Sequence, residues 1–247
     1  MREALYDQIG TTYTSTRCPD PRIAAAIVRA LGDATSVVNV GAGAGAYEPT
    51  DRQVLAVEPS RHMIRQRARG SANVIQASAE ALPLRDRSFD AALAVLTLHH
   101  WGNWRRGLDE MRRVANHLVI VTVEPEDLRR FWLTAEYFPE IVELDRGRCP
   151  LVTDVAEYIA DCRVDRIEIP HDCIDGFLGA FWRRPEAYLD PNVRAGMSGF
   201  ALLNTNVVSR GVERLRADLE SGVWEQRFGH LRKLDVLDVC YRLVVTN

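Results

Sequence analysis

Apolar positions along the chain follow two alternating patterns. Ile23, Ile27, Val28 and Leu31 recur at helical spacing between Asp20-Pro21 and Gly32. Asp20 can cap free backbone amides, Pro21 suits a first helical position and Gly32 suits a left-handed stop, so a helix is predicted between them. Short apolar runs then follow at Ser36–Val40, 54–57, 73–76, 89–96 and 118–123. Helical patterns separate several of them, at 60–69 and at Trp104–Val114, where Leu108, Met111 and Val114 share a stripe. Brief buried strands alternating with helices predict an α/β fold with a parallel sheet covered on both faces. Beyond Val123 the pattern changes: 125–138 and 152–161 read as helices and 164–169 as a strand. Residues 170–238 read as helix or loop, and Tyr241–Thr246 reads as a last strand. One domain over 1–247, with 170–238 as a helical insertion before the last strand, is the simplest organisation.

Composition narrows the class. With 47% hydrophobic and 26% charged residues the chain has material for a core, which excludes a disordered tail or a coiled coil. Its 31 basic and 34 acidic residues give a charge of -3, so no global basic field invites nucleic acid. Five cysteines, at 18, 149, 162, 173 and 240, form no C-x-x-C and read as free thiols. No metal site is expected, because His171 and Cys173 lack partners at metal spacing. The longest apolar stretches, 91–98 and 118–123, fall well short of the ~18–20 residues of a membrane span. The start, MREALYDQIG, has no apolar signal region, so the cytoplasm is the expected compartment.

Residues 37–45 read VVNVGAGAG, a strand running into Gly41, Gly43 and Gly45. Such a turn lets a ligand approach the backbone and its amides. The run at 54–57 ends in Glu58, seventeen residues after Gly41. In a doubly wound sheet an acid there sits beside the glycine turn and can accept both hydroxyls of a ribose. Gly41, Gly43 and Ala46 also satisfy G-x-G-x-x-G/A, which keeps a dinucleotide in view. Pro49 and Asp51, however, leave room for scarcely one helical turn, and a pyrophosphate would lose its main electrostatic partner.

The stretch SAEALPLRDRSFDAALAVLTLHHW (78–101), placed after GAGAG and VEPS, resembles the class I S-adenosylmethionine-dependent methyltransferases. The branch it is most similar to contains quinone-biosynthesis C-methyltransferases and small-molecule methyltransferases, over roughly residues 36–123. The resemblance implies a doubly wound, mostly parallel seven-stranded Rossmann-like sheet and S-adenosyl-L-methionine as cofactor. Gly41, Ala42 and Gly43 would line the methionine portion, Glu58 the ribose, and Pro59, Ser60 and Met63 the ribose and adenine. Ser78, Ala79 and Glu80 match the other edge of adenine, and Leu96 and Thr97 the strand end beneath the sulfonium. Residues 1–32 would supply a lid and the first helix, with Tyr13 and Arg17 closing over the cofactor. Asn39 departs from the pattern, standing where the family usually has an acid. Ser78 also departs, standing where an aspartate commonly reaches adenine.

His100, just past the fourth strand, is the expected catalytic base, with His99 facing substrate. An unperturbed imidazole pKa near 6.5 would give activity an acidic limb there. In 170–190, Phe177, Phe181 and Trp182 would pack the acceptor and Arg183 or Arg184 meet an anion; the alternative is a cap whose aromatics are core. Arg61, Arg65, Arg67 and Arg69 read as a solvated basic face, and the tryptophans as core. The expected activity is methyl transfer to a small-molecule acceptor by direct displacement. The alternatives are a nicotinamide-dependent oxidoreductase, a tRNA-modifying methyltransferase sharing the LHHW-like segment, and a member that binds the cofactor without catalysis. The charge of -3 and the lack of a Lys/Arg tail argue against the RNA reading.

Overall fold

The computed structural model describes residues 17–145 and 148–247. Its main sheet has the strands β1 (Ser36–Val40), β2 (Gln53–Val57), β3 (Asn73–Ile75), β4 (Phe89–Val95), β5 (Ala115–Val123), β6 (Cys162–Arg166) and β9 (Tyr241–Thr246). They lie in the order β3-β2-β1-β4-β5-β9-β6. β1 to β5 pair in parallel, while β9 runs antiparallel to both β5 and β6. This is the expected doubly wound, mostly parallel seven-stranded arrangement. Its reversal of strand order between β1 and β4 leaves a crevice at the carboxyl ends of the strands.

Alternation along the strands divides the core in two. Val37, Ala91, Leu93, Val119 and Val121 belong to one cluster, and Val38, Val40, Ala92, Ala94 and Ile120 to the other. α1 (Pro21–Leu31) covers the first face with Ile23, Ile27, Ala30 and Leu31. Asp20 caps this helix by accepting from the Arg22 amide. The second face is covered by α3 (Trp104–Val114), through Leu108, Met111 and Val114, and by α7 (Val152–Ile159), through Val152, Val155 and Ile159. Between β2 and β3 lies only a short helix, α2 (Arg61–Arg65).

Above the first face sits an aromatic cluster, with Trp132 meeting Tyr188 and Trp224 at ring-centroid distances of 5.6 and 5.4 Å. Edge-to-face packing of this kind adds to what area burial alone contributes. Four elements differ from the sequence pattern. The predicted 125–138 helix is two, α4 (Pro125–Arg130) and α5 (Trp132–Glu136), because Phe131 is extended at ψ 129°. A further helix, α6 (Pro139–Asp145), follows them. The strand predicted at 164–169 is displaced: β6 ends at Arg166, and β7 (Ile169–Pro170) pairs instead with β8 (Val236–Leu237). The helix at 60–69 stops at Arg65, and Arg67 turns inward rather than joining a solvated face, its side chain only 5% exposed. Between β7 and β8, the helices include the short α8 (Pro191–Ala195), α9 (Ser198–Leu202) and α11 (Val223–Phe228) and the longer α10 (Thr205–Glu220). No helix among the described residues is long and apolar enough to cross a membrane.

Candidate active site

The crevice is built from three strand ends. At the end of β1 the chain turns through Gly41, whose amide donates to Val57 O at 2.8 Å, as does that of Ala42 at 3.0 Å. Gly41 has φ +71°, and a Cβ there would overlap Thr97 Oγ1. Only glycine meets both demands, so the close approach of this turn to the end of β4 is set by residue type. At the end of β2, Glu58 is 5% exposed and its carboxylate accepts from the Gly43 amide and the Ser60 amide, each at 2.8 Å. A carboxylate has about four acceptor directions, and these two backbone bonds take one on each oxygen. At the end of β4, Leu96 takes φ +50°, a strained conformation for a branched side chain and one that concentrates at functional sites.

These ends open into a cavity of about 600 Å³. Gly41, Ala42, Gly43, Glu58, Pro59 and Met63 line it from β1 and β2. Ser78, Ala79, Glu80, Leu96, Thr97 and His100 line it from β3 and β4, with Arg17 from the chain before α1. Ser60 does not line it; its hydroxyl caps α2 by accepting from the Met63 amide at 3.1 Å. Tyr13 lies outside the described residues. Glu80 uses one carboxylate oxygen to hold the Gly102 amide at 2.7 Å, fixing the loop after His100.

Several wall residues, four of them large, escaped sequence reasoning. Tyr47, Trp101, Trp104 and Arg148 all line the cavity. Trp101 donates to Thr97 Oγ1 at 3.2 Å and presses on Gly107, so its indole is locked between β4 and α3. Membership of the LHHW segment was the available signal for Trp101; Arg148 had none. The acid missing at position 39 is supplied from elsewhere. Asn39 donates to Glu48 at 3.2 Å, and Glu48 is bound by Arg67 at 2.7 Å, which also donates to Gly43 O at 3.3 Å. This largely buried pair braces the glycine turn in place of a following helix.

A second cavity, of about 90 Å³, shares Arg17 and Leu96 with the first. Its walls are chiefly apolar and include Val123, Leu128, Ile141, Phe177 and Met197, with His99 contributing an imidazole. Phe181, Trp182 and Arg183 line neither cavity. Trp182 is fully buried, donates to Ile169 O at 2.9 Å and accepts from Trp132 through its carbonyl, which makes it a core tryptophan. Phe181 packs edge-on against Tyr188 at 5.8 Å, and Arg183 donates to Leu234 O at 2.9 Å. The roof comes from both sides of β6, since α4 and α6 contribute Leu128 and Ile141 alongside Phe177 and Met197 of the predicted insertion.

Both histidines are driven toward the neutral form. Burial, with the Arg148 charge as a second cause, lowers the His99 pKa to about 4. Burial lowers that of His100 well below 6.5 as well, helped by His99 and Arg148. The acidic limb expected near 6.5 is therefore displaced downward.

Comparison with known proteins decides the family. A methyltransferase domain family matches residues 38–120. A solved structure from Anabaena variabilis ATCC 29413, described as a methyltransferase from an antibiotic biosynthesis pathway, is 33% identical, with a TM-score of 0.87. The alignment covers 94% of this chain and 98% of that one. The chain belongs to the S-adenosylmethionine-dependent methyltransferases. No curated protein matches this methyltransferase in sequence. The fold recurs in the [4+2]-cyclase SpnF, at 14% identity and TM-score 0.55 over 98% of this chain and 94% of that one. It also recurs in the plantazolicin methyltransferase BpumL, solved with SAH, at 13% identity and TM-score 0.50 over 98% and 87% of the two chains. The cofactor is S-adenosyl-L-methionine, and the crevice fits it. Gly41 admits close approach, the Glu58 carboxylate lines the cavity at the end of β2, and the volume is within the ~300–1,000 Å³ of small-molecule sites. A dinucleotide is disfavoured because residues 41–52 contain no helix whose N-terminus could hold a pyrophosphate.

Proposed function

We propose that this methyltransferase acts on a small-molecule acceptor that enters the apolar cavity roofed by residues 125–145 and 170–238. One observation carries the reading: the apolar cavity adjoins the larger one and shares Leu96 and Arg17 with it. Bound S-adenosylmethionine supplies an electrophilic methyl carbon, which passes to an acceptor lone pair while the carbon–sulfur electron pair stays on sulfur. Glu58 holds the ribose hydroxyls, Gly41 to Gly43 lie along the methionine portion, and Met63, Ser78 and Ala79 flank the adenine. Ser60 acts at one remove, steadying Glu58 through its amide. Tyr13 and Arg17 close over the methionine end. His100, on the cofactor side, is the proposed proton acceptor, and water exclusion by the roof supports alignment of the reacting atoms.

The test is to incubate the protein with cell extract and methyl-deuterated S-adenosylmethionine, then separate small molecules, RNA and protein by mass. Label in a small-molecule fraction is expected. Label confined to RNA or protein would overturn the acceptor assignment while leaving the methyltransferase family intact.

A further inference from the structure

We infer that two copies of this chain pair through the free edge of β6, antiparallel and centred on Val164, so that the sheet of one copy runs on into that of the other. The inference is independent of the acceptor reading, because β5 and β9 separate this edge from the crevice between β1 and β4.

The edge offers unused backbone groups. Among the described residues β6 pairs with β9 and with no other strand. The Ile167 amide donates to Tyr241 O at 3.0 Å, and the Asn247 amide donates to Asp161 O at 3.3 Å. Bonded residues alternate along an antiparallel ladder, so 163 and 165 also bond toward β9, and the N–H and C=O of Val164 and Arg166 turn outward. Cys162 offers only its carbonyl, since its amide donates to Ala160 O at 3.1 Å. Such an edge is a template for another strand unless charge, proline or shortness blunts it. The opposite edge, β3, has only three residues. β6 has five, without proline, and all but Cys162 are exposed. Val164 leaves 42% of its surface open, although it is apolar.

Charge then selects the partner and the register. Arg163 and Asp165 share one face of β6, opposite Val245 and Leu243 of β9. Both are half-exposed and they bond each other at 3.0 Å. Antiparallel pairing centred on Val164 sets Arg163 opposite the partner's Asp165 and, by two-fold symmetry, Asp165 opposite the partner's Arg163. These are non-hydrogen-bonded positions, where side chains come closest, opposite charges attract and like charges repel. Moving the centre by one residue either way would set arginine against arginine or aspartate against aspartate. The charges on this edge therefore repel other registers and favour this one. Val164 exchanges both its backbone bonds with the partner's Val164, and each Arg166 amide donates to the partner's Cys162 through its carbonyl. A groove of about 440 Å³ between β6 and α1, lined by Ala26, Arg29, Arg163 and Asp165 among others, leaves the charged side chains room to turn toward the partner.

Sedimentation equilibrium on the whole chain tests the pairing. The native protein should be a dimer. Arg163→Asp and Asp165→Arg each set like charges opposite one another, and each should weaken dimerisation by about tenfold to a hundredfold. Mixed together, these two variants should pair with each other, because one edge then carries only acid and the other only base at the facing positions. Val164→Pro should be monomeric, since a strand edge tolerates proline where its N–H faces outward but can no longer donate there. Native affinity for S-adenosylhomocysteine, measured by calorimetry, confirms that each variant is folded. The inference is overturned if the native chain stays monomeric up to its highest soluble concentration, if the folded variants dimerise as the native chain does, or if the mixture of charge variants remains monomeric.

Discussion

His99 and His100 are adjacent in sequence and their rings lie 3.9 Å apart, yet they border different cavities, His99 the apolar one and His100 the cofactor one. The turn Leu98–His100 produces this divergence by rotating successive side chains around a tight 3-10 helix. Both imidazoles lose water on folding, and Arg148 adds a like charge against protonation of each.

Neither ring should therefore titrate near 6.5. Imidazole NMR is expected to place His99 at about 4, with no acidic limb in kcat near 6.5 from either ring. The unfolded chain binds protons on these histidines at higher pH than the folded chain does. Stability should thus be full above about 6.5 and fall as the pH drops from there toward 4, and His99→Gln should flatten that slope. Arg148→Gln should raise the His99 pKa but leave it below 6.5, because burial, the larger cause, is unchanged. An unshifted titration in the native protein would contradict this environment.

Glu58 braces the turn and is the proposed ribose acceptor. Glu58→Ala removes the acceptor of the Gly43 and Ser60 amides together with that proposed contact. Calorimetry with S-adenosylhomocysteine should show binding weaker by about 1.5–3 kcal/mol, the range for charge-assisted hydrogen bonds. Unchanged affinity would remove Glu58 from the cofactor site.

Gly41 should tolerate no side chain. Gly41→Ala combines a left-handed backbone, at about 1–2 kcal/mol, with overpacking against Thr97, at about 1–3 kcal/mol. Denaturant unfolding should show the double variant Gly41→Ala/Thr97→Ala recovering the packing share and not the backbone share. Simple additivity of the two substitutions would refute the contact.

Much of the sheet and of the cofactor crevice was legible because its parts are contiguous in sequence. A strand running into glycines, an acid ending the next strand and the 78–101 stretch each carry their own local signal. The sheet then brings Gly41, Glu58 and Leu96 together at its carboxyl edge. What stayed hidden depends on contacts between distant segments. Arg67 looked like one more surface arginine until Glu48 paired with it. Trp182 and Phe177 lie five residues apart in one aromatic stretch, and nothing local tells the core residue from the wall residue. The break at Phe131 was equally unreadable, because burial of Phe131 and Trp132 in the aromatic core overrides helical periodicity.

Asp175 is the most consequential of these hidden residues. It is fully buried and accepts from Arg17 through both oxygens, from Tyr47 Oη at 2.8 Å and from the Gly176 amide at 2.7 Å. Arg17 precedes α1, Tyr47 belongs to the turn after β1, and Asp175 lies in the roof. One carboxylate thus ties together three segments that meet at the two cavities. Removing one member of a buried ion pair leaves the other charge uncompensated, so Asp175→Ala should cost about 3–5 kcal/mol of stability. Arg17→Met should destabilise through the same loss, and the double variant should be less damaging than the sum of the singles, because no orphan charge remains. Asp175→Asn keeps the shape and a hydrogen-bonding oxygen for Tyr47 but loses the charge that holds Arg17. It should therefore fold better than Asp175→Ala while still weakening S-adenosylhomocysteine binding. Chemical denaturation with calorimetry on the same four proteins checks both effects. Strict additivity of the two singles, or native cofactor affinity in Asp175→Asn, would show that the carboxylate only fills space.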